Sequence, residues 1–217
     1  MIEPVPICVL VKPPLAGGSK TRIAHALGDL FAARLASALL ADTWTLIRNL
    51  PWAWPILATT TTDRSLFPLD GPVELWQQGE GDLGTRMERV LSRALTEAGR
   101  GILVDANLPG LPLDRLIEAC AALETHDAVF GPVRGGFYLV GMRKLPEDAL
   151  AQPPWSTNDT LRRTELRLAM MGLRPTRIEP WVDLDRPEDL PFARWLLESR
   201  PESGPRTLQV LRSVGAA

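Results

Sequence analysis

Cysteine, histidine and excess charge of either sign are all scarce in this sequence. Its 217 residues include two cysteines and two histidines, and Cys8 and Cys120 lie far apart without the spacing of a metal site. We therefore expect both thiols to be reduced, as is usual in a cytoplasmic protein. The 24 basic and 26 acidic residues leave a net charge of -2, so no basic field predicts a nucleic-acid or membrane partner.

Long apolar runs and several common catalytic motifs are also missing. No continuous stretch of about 18 apolar residues is present, which argues against a membrane span. Pro4, Pro6 and Lys12 interrupt the N-terminal segment where a secretory leader would be continuous. The glycine-containing loop over residues 12–22 has neither the P-loop spacing (GxxxxGK[ST]) nor the GxGxxG spacing of a dinucleotide fold, and no GxSxG or HExxH pattern appears in the chain. A phosphate site in that loop would therefore need another arrangement.

The pattern of apolar residues predicts an α/β fold. With 45% hydrophobic and 23% charged residues, the chain has enough apolar side chains for one core, which we expect to span residues 1–200. The residues after Arg200 contain prolines, serines and a glycine, and we expect them to form a frayed C-terminal tail over 201–217.

Strand and helix patterns alternate along most of the chain, which predicts a mixed, mainly parallel sheet. The expected strands cover residues 5–11, 55–62, 73–78, 101–106, 127–133, 136–142 and 174–182. The expected helices cover residues 21–48, 83–98, 113–123, 158–171 and 187–199.

A loop with two adjacent glycines, "KPPLAGGSKTR" (12–22), leads from the first strand to the first helix. It places Lys20 and Arg22 beside free backbone N–H groups at a helix N-terminus, where the helix dipole also attracts anions. This combination predicts a pocket for a di- or triphosphate. A solvated loop whose cations contact nothing is the alternative.

Two pairs of polar side chains are spaced to share a metal ion. Asp105 and Asn107 lie at the end of the expected strand "GILVDA" (101–106), and Asp183 and Asp185 lie in "WVDLDRPEDL" (181–190). Residues two apart on an extended segment point the same way, and Mg²⁺ needs only one or two carboxylates when substrate phosphates supply further ligands. Glu188 and the acid after it are better explained as first-turn residues of a helix.

The segment "QQGEGDLGTRM" (77–87) carries three glycines between a strand and a helix. Glycines at such a junction let the backbone approach a flat ligand closely. Asp82 could either contact that ligand or cap the helix that begins at Leu83.

In their order, these segments resemble the bacterial glycosyltransferase A-like family, whose members are proposed nucleotide-diphospho-sugar transferases, some of them linked to arsenosugar biosynthesis. More distant relatives are the molybdenum-cofactor and phospholactate nucleotidyltransferases. The resemblance rests on "VKPPLAGGSKTRIA", "QGEGDLGTRM", "LPGL", "GPVRGGFYLVG", "PWST" and "WVDLDRPEDL", which together span residues 11–190. It implies a single Rossmann-like three-layer α/β/α domain of the nucleotide-diphospho-sugar transferase type and a nucleotide or nucleotide-sugar ligand.

The resemblance also implies roles for individual residues. The residues implied to bind the nucleotide and acceptor are Lys12, Gly17, Gly18, Lys20 and Arg22 at the phosphates, Gln78, Gly79 and Gly81 at the base or ribose, and Trp155 and Ser156 at the acceptor. Those implied to act in catalysis are Lys20, Arg22, Asn107 and Asp183. A bound Mg²⁺ or Mn²⁺ would be held by Asp105, Asn107, Asp183 and Asp185.

Two positions depart from the family pattern. The family usually has an aspartate where this chain has Asn107, and it has an acid where Arg134 adjoins Gly135. A unit charge 4 Å from a cation is worth roughly 4 kcal/mol at an effective dielectric constant near 20. We therefore expect weak metal binding, altered chemistry or no catalysis, with the fold unchanged.

Four functions stay open at this level. A glycosyltransferase would use a nucleotide-diphospho-sugar, and a nucleotidyltransferase would use the same pocket but release pyrophosphate. A non-catalytic relative would bind the nucleotide without turnover, and the amide of Asn107 in place of a carboxylate favours this hypothesis. An oligomeric protein, such as a homodimer, is suggested only by the tryptophans at 44, 52, 54 and 195, which fit core packing equally well.

Overall fold

A seven-stranded mixed sheet forms the centre of the computed structural model, which describes residues 4–150 and 159–213. The strands are β1 (Val5–Val11), β2 (Ala53–Thr59), β3 (Glu74–Gln77), β4 (Gly101–Asp105), β5 (Ala128–Val133), β6 (Gly136–Met142) and β7 (Pro175–Arg177). Their order across the sheet is β3-β2-β1-β4-β6-β5-β7. Only β6 runs antiparallel to its neighbours β4 and β5, so the prediction of a mixed, mainly parallel α/β sheet is confirmed.

The described residues form seven α-helices around the sheet. They are α1 (Thr21–Leu27), α2 (Asp29–Arg48), α3 (Leu83–Ala98), α4 (Leu113–Thr125), α5 (Thr160–Met170), α6 (Leu190–Ser199) and α7 (Pro205–Arg212). Short 3₁₀ turns cover Arg64–Leu66, Pro187–Asp189 and Pro201–Ser203.

Alternating side chains of β1 enter the cores on the two faces of the sheet. Ile7 and Val9 are fully buried in the cluster that contains Trp44 of α2 and Leu116 of α4. Cys8 points the other way, into the cluster formed with α3 and α5. Because both faces are covered, the strand is apolar throughout instead of alternating with polar residues. This arrangement is the three-layer α/β/α architecture that the family resemblance implies.

Helix α2 is the longest helix among the described residues. By length and mean hydropathy (1.3) it could cross a membrane, but 56% of its apolar segment is buried inside the fold. Leu35, Leu39 and Ile47 have no exposed surface, and the helix packs on β1, β2 and α7. Its apolar composition is therefore explained by packing in the protein core.

Several predicted boundaries are wrong in detail. The helix expected over 21–48 is two helices, because Gly28 adopts φ 87° and ends α1. The last strand covers only Pro175–Arg177 of the expected 174–182, and beyond it Ile178 and Trp181 donate single hydrogen bonds to β5. The final predicted helix begins as a 3₁₀ turn at Pro187 and becomes α-helical at Leu190.

The prediction of a frayed tail after Arg200 is wrong for residues 201–212. Helix α7 buries Leu208, Val210 and Leu211 against α2 and α6. Its N-terminal N–H groups are satisfied by Asp42 of α2, which accepts hydrogen bonds from Arg206 N at 3.2 Å and Thr207 N at 2.8 Å. The helix is thus capped by a residue more than 160 positions away, which local sequence patterns do not reveal.

We expect Asp42→Ala to lower the free energy of unfolding by about 1–3 kcal/mol, because two helix-terminal N–H groups would lose a buried acceptor. Urea denaturation followed by circular dichroism measures the change. Asp29→Ala, an exposed first-turn residue of the same helix, is the matched control and should cost about 0.3–1 kcal/mol. Equal effects of the two variants would contradict the capping role.

Candidate functional site

A cleft of about 810 Å³ opens at the carboxyl ends of β1 and β4. This edge of an open α/β sheet is where ligands bind in such folds. The cleft is lined by the loop between β1 and α1, the start of α3, residues 136–140 of β6 and the segment after β7. The predicted site residues that line it are Lys12, Gly18, Lys20, Arg22, Gln78, Asp105, Asn107, Asp183 and Asp185.

Basic side chains outnumber carboxylates among the described residues of this cleft. The basic ones are Lys12, Lys20, Arg22, Arg86, Arg134 and Arg186, and the acidic ones are Asp105, Asp183 and Asp185. The protein as a whole carries a net charge of -2. The positive charge is therefore concentrated in the cleft, which favours an anionic ligand.

Lys20 lies at the centre of the charged groups. It adopts the left-handed conformation (φ 47°) directly before α1, and its Nζ donates a short hydrogen bond to the carbonyl of Leu184. Burial lowers the pKa of Lys20, although the carboxylates of Asp105 and Asp185 act in the opposite direction. The ammonium group is thus held among aspartates in a place where a phosphate could reach it.

Arg22 is more accessible than Lys20. Its Nη1 lies 2.5 Å from Oδ2 of Asp185, and 55% of the arginine side chain is exposed. An ion pair with this exposure contributes little to stability, about 0–1 kcal/mol. Arg22 can therefore exchange Asp185 for a ligand phosphate at low cost.

Asp105 and Asn107 mark the end of β4. The Asn107 N–H donates to Oδ1 of Asp105 at 3.1 Å, and burial raises the pKa of Asp105 although Lys20 opposes this shift. The carbonyl of Asn107 accepts a hydrogen bond from Leu184 N at 2.9 Å, which ties β4 to the segment carrying Asp183 and Asp185. The amide side chain of Asn107 forms no hydrogen bond with the described part of the chain.

Arg134, which also lines the cleft, forms ion pairs with two aspartates. Its Nε lies 3.0 Å from Oδ1 of Asp183, and its Nη2 donates to Oδ1 of Asp189. The hydrogen bond to Asp189 raises the pKa of Arg134, and burial raises the pKa of Asp183 against the effect of Arg134. Asp189 also accepts from the N–H groups of Asp185 and Arg186, so it shapes the segment in addition to pairing with Arg134.

The predicted metal ligands do not fit a divalent cation in this geometry. Residues 4–150 and 159–213 contain no group of three or more His, Cys, Asp or Glu side chains placed to hold a metal ion. Asp183 pairs with Arg134 and Asp185 pairs with Arg22. Asp105 lies in the field of Lys20, and Asn107 brings no charge. Binding of Mg²⁺ or Mn²⁺ stays a sequence-based prediction that these side-chain positions do not support.

Gln78 has a structural role that the sequence pattern did not reveal. Its Nε2 donates to the carbonyls of Ala58 at 2.8 Å and Val11 at 3.1 Å, so the amide joins the ends of β1 and β2 at the cleft. Gly79 and Gly81 both have positive φ (69° and 114°), and neither lines the cleft. Their position near a base or ribose stays a prediction.

Arg89 of α3 holds this glycine loop in place by donating to the carbonyls of Gln78 and Glu80. A Cβ atom at Gly79 would lie 2.5 Å from Arg89 Nη1. The sequence also predicted two alternatives for Asp82, and the structure shows the capping one: Oδ1 accepts from Thr85 N at 2.8 Å. The loop is therefore a rigid connection between β3 and α3.

We expect Gly79→Ala to lower the free energy of unfolding by about 1–3 kcal/mol more than Gly99→Ala does. Both glycines have similar positive φ angles, 69° and 68°, so both variants share the cost of a left-handed alanine. Only Gly79→Ala displaces Arg89 from two carbonyls, since nothing lies within 4 Å of a Cβ at Gly99. Paired denaturant titrations measure the difference, and equal losses would argue against the bracing role of Arg89.

The remaining predicted residues are placed as follows. Gly17 lies in the first loop with φ 74° but does not line the cleft. Trp155 and Ser156 lie outside the described residues. Sequence reasoning did not identify Arg86 and Arg186 as cleft residues, although both belong to segments that it singled out. Arg134 was noted only as a departure from the family pattern, since a residue in a two-residue turn gives no signal of where its side chain points.

Solved structures with the same fold include several nucleotide enzymes. A proposed nucleotide-diphospho-sugar transferase from Desulfovibrio desulfuricans G20 is 25% identical, with a TM-score of 0.83 over 97% of this chain and 95% of that one. The bifunctional IspDF of Campylobacter jejuni is 14% identical, with a TM-score of 0.57 over 87% of this chain and 53% of that one. The 4-diphosphocytidyl-2C-methyl-D-erythritol synthase of Anaerococcus prevotii DSM 20548 is 13% identical, with a TM-score of 0.56 over 91% and 100% of the two chains.

The resemblance inferred from the sequence motifs is thus confirmed at the level of the fold. No curated protein matches the chain. A family model described as an uncharacterized protein conserved in bacteria (DUF2064) matches residues 45–157, just over half of the 217 residues, and the chain therefore belongs to the DUF2064 family.

Proposed function

We propose that this protein is a transferase that binds a nucleotide or nucleotide-diphospho-sugar in the cleft, with the diphosphate at Lys20 and Arg22. The observation that carries the proposal is the concentration of six basic side chains around a cleft at the carboxyl ends of β1 and β4. The cleft volume of about 810 Å³ is within the range of small-molecule and cofactor sites. The fold shared with a proposed nucleotide-diphospho-sugar transferase supports the same assignment.

In the glycosyl-transfer version, the bond between the sugar's anomeric carbon and the diphosphate breaks while an acceptor attacks that carbon. The leaving diphosphate gains negative charge during this step. Lys20 and Arg22 are positioned to stabilise that charge, because fixed positive groups stabilise a transition state in which negative charge develops. Lys20 is partly desolvated, which strengthens its interaction with the leaving group.

Nucleotidyl transfer is the second candidate, and it would use the same cleft. An acceptor phosphate would attack the α-phosphorus of a nucleoside triphosphate, and pyrophosphate would leave towards the basic side chains. This version is favoured by the fold shared with the 4-diphosphocytidyl-2C-methyl-D-erythritol synthase. The two reactions differ in their products, a nucleoside diphosphate in the first and pyrophosphate in the second.

A nucleotide-binding protein without catalysis is the third candidate. Asn107 replaces a carboxylate at the end of β4, and the nearby acids are already paired with arginines. Exposed aromatic side chains on α6, Phe192 and Trp195 (48% and 63% exposed), would be free for a partner or a second copy in such a protein. Trp44, by contrast, is buried in the core.

A ligand panel followed by product analysis tests the proposal. Thermal shift with nucleoside mono-, di- and triphosphates and with nucleotide-sugars, in EDTA and in MnCl₂, identifies ligands because binding to the folded state raises the midpoint. The ligands that bind are then incubated with the enzyme, and nucleoside diphosphate and pyrophosphate are measured. Binding and release of either product supports a transferase, and binding without turnover supports the non-catalytic candidate. A panel in which no nucleotide raises the midpoint rejects the proposal.

A further inference from the structure

Arg134 is held rigidly at the wall of the cleft. It is the first residue of the two-residue turn between β5 and β6, and both turn residues have positive φ, 41° at Arg134 and 79° at Gly135. Arginine rarely adopts this conformation, and side-chain contacts help to hold it in the turn. Those contacts are the ion pairs with Asp183 and Asp189, and Asp189 is itself fixed by two backbone N–H groups.

The guanidinium of Arg134 still has donors for a ligand. Among residues 4–150 and 159–213, only its Nε and Nη2 contact carboxylates, and the group carries five N–H donors in a planar fork. The side chain lines the cleft and is 43% exposed. An arginine fixed in this way is suited to bidentate binding of a phosphate.

The carboxylates that would attract a metal ion are already neutralised by this chain's own cations. Asp183 contacts Arg134, Asp185 contacts Arg22, and Lys20 lies among Asp105, Asp183 and Asp185. At the end of β4 the fourth predicted ligand is the uncharged Asn107. The lining residues as a whole carry more basic than acidic groups, which would repel a second cation in the absence of the ligand.

We propose that Arg134, together with Lys20, supplies the positive charge that a divalent cation would otherwise bring to the ligand's diphosphate, so that phosphate binding in this cleft does not require a metal. This inference rests on the proposed function, because it takes the diphosphate to lie in the same cleft. It adds Arg134 as a phosphate-binding residue and makes metal independence a property of this site.

Inorganic pyrophosphate is the probe of choice, because it needs no assumption about the base or sugar. Two parallel titrations by isothermal titration calorimetry, one in EDTA and one with MnCl₂, give the affinity of pyrophosphate for the intact protein. We expect binding in EDTA that is no more than about twofold weaker than binding with Mn²⁺. We expect Arg134→Gln to weaken binding in EDTA at least tenfold, and Arg134→Lys to recover part of the loss. Arg163→Gln, on the exposed face of α5, is the matched control and should leave the affinity unchanged.

Asn107→Asp provides a second test that does not disturb the Arg134 turn. The two side chains have the same size, and the variant adds one negative charge to the cleft. We expect pyrophosphate binding in EDTA to fall at least fivefold, and Mn²⁺ to restore it, because the added carboxylate repels the anion unless a metal ion lies between them.

The outcomes separate this inference from the proposed function. Pyrophosphate binding that requires Mn²⁺ in the unmodified protein overturns metal independence and leaves the nucleotide site standing. Metal-free binding that Arg134→Gln leaves unchanged overturns the role of Arg134. Nucleotides that bind while pyrophosphate does not, with or without metal, also overturn this inference alone. Failure of both pyrophosphate and the nucleotide panel rejects the proposed function and this inference together.

Discussion

Lys20→Ala is expected to weaken nucleotide binding at least tenfold, which corresponds to about 1.4 kcal/mol of binding free energy. The reason is the position of its ammonium group, which is partly buried in the cleft and held by the carbonyl of Leu184. A desolvated cation interacts with a phosphate more strongly than an exposed one does. Titration calorimetry with a nucleotide identified by the thermal-shift panel measures the effect.

The variant needs a folding control, since Lys20 also lies beside the partly buried Asp105. Lys20→Gln keeps most of the side-chain length and removes only the charge, and it should lose similar affinity. Arg163→Ala removes an exposed basic side chain that does not line the cleft and should bind as the unmodified protein does. If folded Lys20→Ala protein binds the nucleotide with unaltered affinity, the phosphate role of Lys20 is wrong.

The double variant Leu208→Ala/Leu211→Ala is expected to lower the free energy of unfolding by about 4 kcal/mol or more. Both leucines are almost completely buried, 3% and 2% exposed, and they belong to the cluster that joins α1, α2, α6 and α7. A single buried leucine replaced by alanine costs about 2–5 kcal/mol. Because typical domains have only about 5–15 kcal/mol of stability, this change should bring the protein close to unfolding at room temperature.

Denaturant unfolding gives the measurement, and Gln209→Ala is the control on the exposed face of the same helix. That variant should stay within about 0.5 kcal/mol of the unmodified protein. A double variant as stable as the control would mean that α7 does not pack in solution and that the sequence-based expectation of a frayed tail was right. The same cluster contains Leu184, so this packing also supports the segment that carries Asp183 and Asp185.

The fold could be predicted from the sequence because its signals are local and repeated. The apolar runs that became β1 and β4, and the helical spacing within α3 and α4, each follow from periodicity and burial within a few residues. The errors lie where a distant residue decides the outcome. Helix α7 depends on Asp42 for its cap, and the last predicted strand pairs only as far as Phe130 of β5, next to the irregularity between Gly131 and Pro132.

The candidate site was predictable in part for the same reason. Polar residues at strand ends and after the glycine loop predicted that Lys20, Arg22, Asn107 and Asp183 face one ligand, and all four line the same cleft. The spacing of residues in the sequence could not predict which charged side chains pair with each other in that cleft. Lys20 reaches Leu184 and Arg134 reaches Asp183 and Asp189, contacts that join segments about 50 to 160 residues apart.

By itself, the sequence determined the class of fold and the edge of the sheet at which polar groups collect, because strand periodicity and the residues that end strands are local properties of the chain. Only the tertiary structure decided that Asp183 and Asp185 pair with Arg134 and Arg22, and that Lys20 lies among the acids of the cleft. The physical reason is that electrostatic pairing depends on distances of a few ångströms between side chains, and those distances exist only once the strands, turns and helices have packed.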